Sequence, residues 1–108
     1  MKHMNALTLA KLELDRQLFN ELKALGVIKT QSELGKLCGK NTSYVACMRN
    51  KGFGVQIGSL AFLAARFSKM AADESDAERC VKLRLALQVI KQTIDEKCRL
   101  REIELHAY

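Results

Sequence analysis

The sequence predicts an all-α fold, a small helix-turn-helix bundle carrying a long C-terminal dimerisation helix. Three observations point there. The chain has no Pro, no Trp and few aromatics but is rich in Leu, Ala, Lys, Arg and Glu, a composition of helix formers rather than of β-branched strands. Its apolar residues recur at intervals of three and four, not two. Glycines and short polar residues fall between the periodic stretches, where helix ends belong. At 108 residues the chain suits one small domain with a modest core.

A first helix is expected from about Asn5 or Thr8 to Leu25, on the spacing of Leu7, Leu14, Leu18, Phe19, Leu22 and Leu25, with Gly26 as its left-handed stop. Thr30 and Glu33 form a possible capping box opening a short helix from Gln31 to about Cys38. Gly39 ends it, and Asn41, Thr42 and Ser43 offer N-cap oxygens to a further helix carrying Tyr44, Val45, Met48 and Arg49. Two short capped helices joined at a glycine are the skeleton of a helix-turn-helix. Lys51 to Gly58, with three glycines, reads as a loop. Ser59 is expected to cap LAFLAARFSKM, a segment apolar nearly all round and so expected in the middle of the domain.

Ala71 to Asp76 reads as an acidic joint or hinge, and Ser75 with Glu78 as a second capping box. The helix it opens meets neither Gly nor Pro before about Leu105. Thirty residues make a rod of roughly 45 Å, against a radius of gyration of about 13 Å for a compact chain of this size, so an overhang is expected. Cys80, Leu83, Leu87, Ile90 and Ile94 repeat at three and four, the seam of a coiled coil that falters at Lys97 and Cys98. The expected division is therefore 1–72 for the helix-turn-helix domain and 73–108 for a dimerisation helix. Folding back onto its own domain, or pairing with a different protein, are the alternatives for the same stripe.

The charge is uneven. Lys and Arg number 18 against 12 Asp and Glu, net +6. From Met1 to Gly52 there are nine basic residues and four acids, from Phe53 to Tyr108 nine and eight. The excess, thickest at Lys23, Lys29, Lys36, Lys40, Arg49 and Lys51, suits a polyanion. No apolar run is long enough to span a membrane, and the start of the chain has no secretory pattern, so a reducing cytoplasm is expected. Cys38, Cys47, Cys80 and Cys98 have no zinc spacing and read as buried free thiols. His3 and His106 stand apart from any nucleophile, and there is no carboxylate pair, phosphate loop or triad. Neither catalysis nor a metal nor a cofactor is expected.

TQSELGKLCGKNTSYVACMRNKG resembles the helix-turn-helix of lambda repressor and Cro-like (Xre-type) regulators, at Gln31, Leu34, Gly35, Gly39, Asn41, Val45 and Met48, and SLAFLAARF is similar to that family's next core helix. The likeness covers about residues 22 to 68. It departs where Gly35 replaces a small Ala at the helix crossing, where Lys40 takes a usually apolar turn position, and in a longer link from Gly26 to Gln31. The resemblance implies a recognition helix in the major groove, with Thr42, Ser43 and Ala46 facing base edges and Arg49 reaching a guanine or a phosphate. It gives Gln31 a phosphate contact and a buttressing role, and Tyr44 a phosphate or sugar. Lys36, Lys40 and Lys51 add charge, with Asn41 and Asn50 at the two ends of the helix. Val45 and Met48 read as core.

Blander roles stand beside these. Thr42 and Ser43 serve as well for capping, Arg49, Lys51 and Lys36 as solvated charges, and Phe53 for closing the core rather than stacking on a base. The expected function is a sequence-specific regulator binding double-stranded DNA, a homodimeric repressor of a near-palindromic operator. The alternatives are a protein-interaction module, an antiactivator or adaptor using its C-terminal helix, and a non-specific DNA-binding protein. RNA is disfavoured by the want of an aromatic stacking platform.

Overall fold

The computed structural model describes residues 5–106 and is all-helical. Five helices follow one another: α1 (Ala6–Ala24), α2 (Gln31–Leu37), α3 (Tyr44–Asn50), α4 (Ile57–Asp73) and α5 (Ala77–His106).

The expected glycine stops at Gly26 and Gly39 are in place, and Gly52, expected only as part of a loop, ends α3 in the same way; the three, at φ 76°, 78° and 78°, follow α1, α2 and α3 in turn. Each of the three ends carries the same pair of backbone hydrogen bonds. After α2, Gly39 N–H donates to Lys36 O at 2.9 Å and Lys40 N–H to Gly35 O at 3.0 Å, satisfying two carbonyls the helix would otherwise leave unpaired. The starts match in part. Asn5 caps α1 by accepting from Thr8 N–H, and Thr30 caps α2 by accepting from Glu33 N–H at 3.1 Å. Two expected caps move. Asp76, not Ser75, opens α5, its carboxylate accepting from Arg79 N–H at 3.0 Å. Ser59 lies inside α4, buried, because Gly58 and Ile57 also take helical conformation and carry the start back to Gln56.

α1 and α4 both run antiparallel to α5 and cover it from two sides. Lys11 meets Glu104, Asp15 meets Lys97, and the Cys80 thiol reaches Ala71 O at the opposite end. One core results, in which Leu18 and Leu22 of α1, Leu60, Leu63 and Phe67 of α4 and Leu83, Ala86 and Ile90 of α5 are all essentially sealed from water. Each large apolar chain so buried contributes about 1.5–3 kcal/mol. A division at residue 72 therefore has no counterpart in the packing.

The C-terminal stripe is redirected in the same way. Leu83 and Ile90, expected to face a second copy, are 1% and 0% exposed within a single chain, while Cys80, Leu87 and Ile94 are half-buried beside them. The line of full burial on α5 is Leu83, Ala86, Ile90, Thr93, Lys97 and Leu100. Its heptad does not falter at Lys97 but runs through it. Two covering helices present a wider apolar floor than one coiled-coil partner, so small and even charged residues enter the buried line. The expected overhang is absent: α1 reaches the last turns of α5 through Lys11 and Glu104, and α4 reaches its first turn through Ala71 and Cys80, all within a longest dimension of 48 Å. The joint before α5 closes a helical hairpin. α4 is one-sided rather than buried all round, with Phe62 48% exposed.

Candidate nucleic-acid interface

α2 and α3 pack on each other at a spacing that only glycine permits. A Cβ on Gly35 would stand 2.6 Å from the backbone oxygen of Asn41, so the absent side chain is what lets the turn cross α2. That departure from the resemblance is a requirement of this turn. Asn41 then organises the start of α3, its side-chain oxygen accepting from Ser43 N–H at 3.1 Å and from Ser43 Oγ at 3.0 Å. α3 itself starts without a side-chain cap.

Val45 turns into the core and Met48 packs against it, as expected. Thr42, Ser43, Arg49 and Asn50 are exposed and Ala46 is half-exposed. Gln31 is half-buried at the start of α2, and its Oε1 accepts from Arg49 at 3.3 Å, so the two residues expected to share a phosphate or base region are physically joined. Lys36, Lys40 and Lys51 are exposed nearby, with the Lys40 ammonium 5.7 Å from the centre of the Tyr44 ring. Between Lys29 and Lys51 five basic residues stand against one acid, Glu33.

Tyr44 is a correction. It is 9% exposed, its hydroxyl lies 2.8 Å from Ser59 Oγ, and it accepts from Gln56 N–H at 3.3 Å. The ring is held inward because both polar partners, at the start of α4, lie beneath it. It ties α3 to α4 rather than reaching outward. Phe53 reverses the other way and is 56% exposed, between Gly52 and Gly54, both at positive φ.

The thiols divide. Cys38 is buried, and desolvation pushes its pKa up to about 11. Cys47 and Cys98 are exposed, against the expectation of buried thiols. Cys47 lies on the outer face of α3, four residues after Ser43 and three before Asn50, a helical period that identifies it as a member of that face.

The loop after α3 is fastened from behind by a pair of charges absent from the sequence-based expectations. Asp15 accepts from Val55 N–H at 2.7 Å, and Lys97 Nζ stands 2.6 Å from Asp15 Oδ1 and donates to Val55 O at 2.6 Å. Burial raises the Asp15 carboxyl above its ordinary value, with the Lys97 ammonium and the Val55 amide pulling it back. The readable signal was register. Asp15 falls in line with Leu18, Leu22 and Leu25, and Lys97 in line with Ile90 and Leu100, one charge of each sign on two apolar stripes.

His106 pairs with Glu102 at the exposed end of α5, and His3 lies outside the described residues. Among the described residues no cluster of His, Cys, Asp or Glu could hold a metal ion, and no helix is long and apolar enough to cross a membrane.

No curated protein and no solved structure matches the chain. One family profile does, over residues 16–106, from the middle of α1 to the last residue of α5, and the chain belongs to that family, the family of unknown function DUF6626.

Proposed function

We propose that this protein binds double-stranded DNA sequence-specifically and regulates transcription, with α3 in the major groove. The observation carrying the proposal is the outer face of α3: Thr42, Ser43, Ala46, Arg49 and Asn50 share it, it bears no acid, and Lys36, Lys40 and Lys51 surround it. Short polar side chains let a helix approach base edges closely, and Arg49 has the fork that reads a guanine. The lysines supply attraction to phosphates without sequence information. Repression by occluding a promoter is the simplest mechanism.

One α3 spans few base pairs, so the reading includes a second copy on an adjacent half-site. Because Leu83 and Ile90 are spent on the chain's own core, the surface for that copy is the outer strip of α5, where Val81 and Leu85 are 56% and 44% exposed. The same two side chains also favour the adaptor reading, in which they seat a different protein.

Selection of bound fragments from random and genomic DNA, with molar mass measured in solution, tests the proposal. A recurring near-palindrome bound by a dimer supports it. With Lys36, Lys40 and Lys51 on phosphates, the logarithm of the affinity should fall against the logarithm of salt with a slope near about −3 per copy, and Lys36→Glu should flatten it by about one unit. Salt-sensitive binding without sequence preference would leave only the non-specific reading, and no binding at low salt would end both.

A further inference from the structure

A groove of about 450 Å³ separates α1 from α3, within the size range of small-ligand sites. Leu9, Leu12 and Phe19 of α1 and Val45 of α3 make its apolar lining, and Leu9 is 54% exposed there. Most charges at its edge are neutralised. Glu13 is held by Arg16 and Gln17, and Asp15 by Lys97 and Val55. Arg49 differs: its hydrogen bond goes to the neutral amide oxygen of Gln31, at 3.3 Å, and among the described residues no carboxylate comes within ion-pair distance of it.

An apolar trough ending at one uncompensated guanidinium is complementary to a molecule with an apolar body and a single carboxylate. The geometry points to a binding site for a small amphipathic carboxylate, its chain on Leu9, Leu12 and Phe19 and its head group forked on Arg49. A guanidinium gives a carboxylate two parallel, charge-assisted hydrogen bonds, whereas Arg49 makes a single one of 3.3 Å to the neutral amide oxygen of Gln31, so the carboxylate displaces Gln31 rather than competing evenly with it. A cationic head is repelled at the same spot.

The regulatory consequence rests on the DNA reading. Arg49 cannot fork a carboxylate and contact a guanine or phosphate at once, so ligand and DNA exclude each other there, and by linkage each weakens the other by the same factor. Val45 and Arg49, one turn apart on α3, both line the groove, so an occupant lies directly against the helix that reads DNA.

Octanoate, its neutral counterpart octanamide and the cation octylammonium are the probes, titrated into the isotope-labelled full chain and followed by amide resonances. Octanoate should give saturable shifts at Leu9, Phe19 and Arg49, with octanamide and octylammonium weaker by about tenfold or more, the loss of one charge-assisted contact. Arg49→Gln should bring octanoate down to the level of octanamide. Leu9→Asp, at an exposed position, should abolish binding while circular dichroism stays that of the native helices, and Lys91→Gln on the outer surface of α5 should change nothing. Absence of saturation, equal binding of all three amphiphiles, or indifference to both groove substitutions overturns the site. Direct binding is independent of DNA. A chain that saturates with octanoate but binds no DNA fragment keeps the site and loses the DNA reading, whereas a chain that binds DNA without saturating keeps only that reading. When both occur, octanoate should weaken DNA binding by the native chain and leave Leu9→Asp unaffected.

Discussion

Lys97, near the end of the chain, and Asp15, near its beginning, meet at 2.6 Å inside the protein, their side chains 5% and 13% exposed. Between them they hold the backbone of Val55 by both its N–H and its C=O. A buried pair of this kind adds little over well-packed apolar residues, but breaking it strands a charge. Lys97→Met alone should therefore cost about 3–5 kcal/mol in urea unfolding, while Asp15→Leu combined with Lys97→Met should recover part of that loss, because no charge is left stranded, but not all of it, because the buried Val55 N–H and C=O keep neither partner. Equal losses in single and double variants would refute that coupling.

The carboxylates respond oppositely to acid. Hydrogen bonds from Lys11 and Arg101 lower the pKa of Glu104, so its contribution is present above the ordinary carboxylate value and is lost as pH falls through its folded-state value. Asp15 is raised by burial, so its ionisation opposes folding, and the stability attached to it falls as pH rises from the ordinary value to the folded one. Glu104→Gln should lose stability at neutral pH and converge with the native protein in acid, as followed by denaturation at a series of pH values.

Glycines at two positions should behave in opposite ways. Gly35→Ala forces a Cβ against the Asn41 carbonyl and should cost about 1–3 kcal/mol, although alanine is the residue the Xre-type pattern carries there. Gly58, in the first turn of α4, has open space within 4 Å of where a methyl group would stand, and Gly58→Ala should gain about 0.5 kcal/mol through a less flexible unfolded chain. Chemical denaturation of the two variants checks both signs.

Tyr44→Phe separates a structural role from contact with DNA. It removes the hydroxyl shared by Ser59 and the Gln56 amide and should cost about 1–2 kcal/mol, while leaving the salt slope of DNA binding unchanged. A slope reduced by one phosphate would return Tyr44 to the interface.

Thiol labelling reports the buried and exposed cysteines separately. Cys47 and Cys98 should react first with a soluble disulfide reagent, and Cys80, whose thiol donates to Ala71 O, more slowly. Cys38, with a pKa near 11 and a side chain out of reach of solvent, should react only as the protein unfolds. Mass spectrometry of digests taken over time identifies the order.

What could be read directly was whatever depends on neighbours within about four residues. Helical period, the stops at Gly26 and Gly39 and the Thr30 cap are local effects, and all appear where their residues stand. Of the base-facing candidates, Thr42, Ser43 and Arg49 are exposed and Ala46 is half-exposed on that same local ground, because the apolar side of a short helix leaves its opposite side to solvent. Where several hydroxyls or carboxylates competed for one cap, as at Ser75 and Asp76, local sequence did not choose between them.

The sequence by itself determined an all-helical chain, the order of its helices and a basic first half, since backbone propensity and charge need no distant partner. Tertiary structure decided what each stripe faces. A heptad seam states that a surface will be buried but not by which neighbour, and two helices of the same chain reach α5 at far higher effective concentration than a second molecule can. That choice took Leu83 and Ile90 into the core, brought Lys97 into the seam opposite Asp15, turned Tyr44 inward onto Ser59, and opened between α1 and α3 the groove where Arg49 waits beside Leu9.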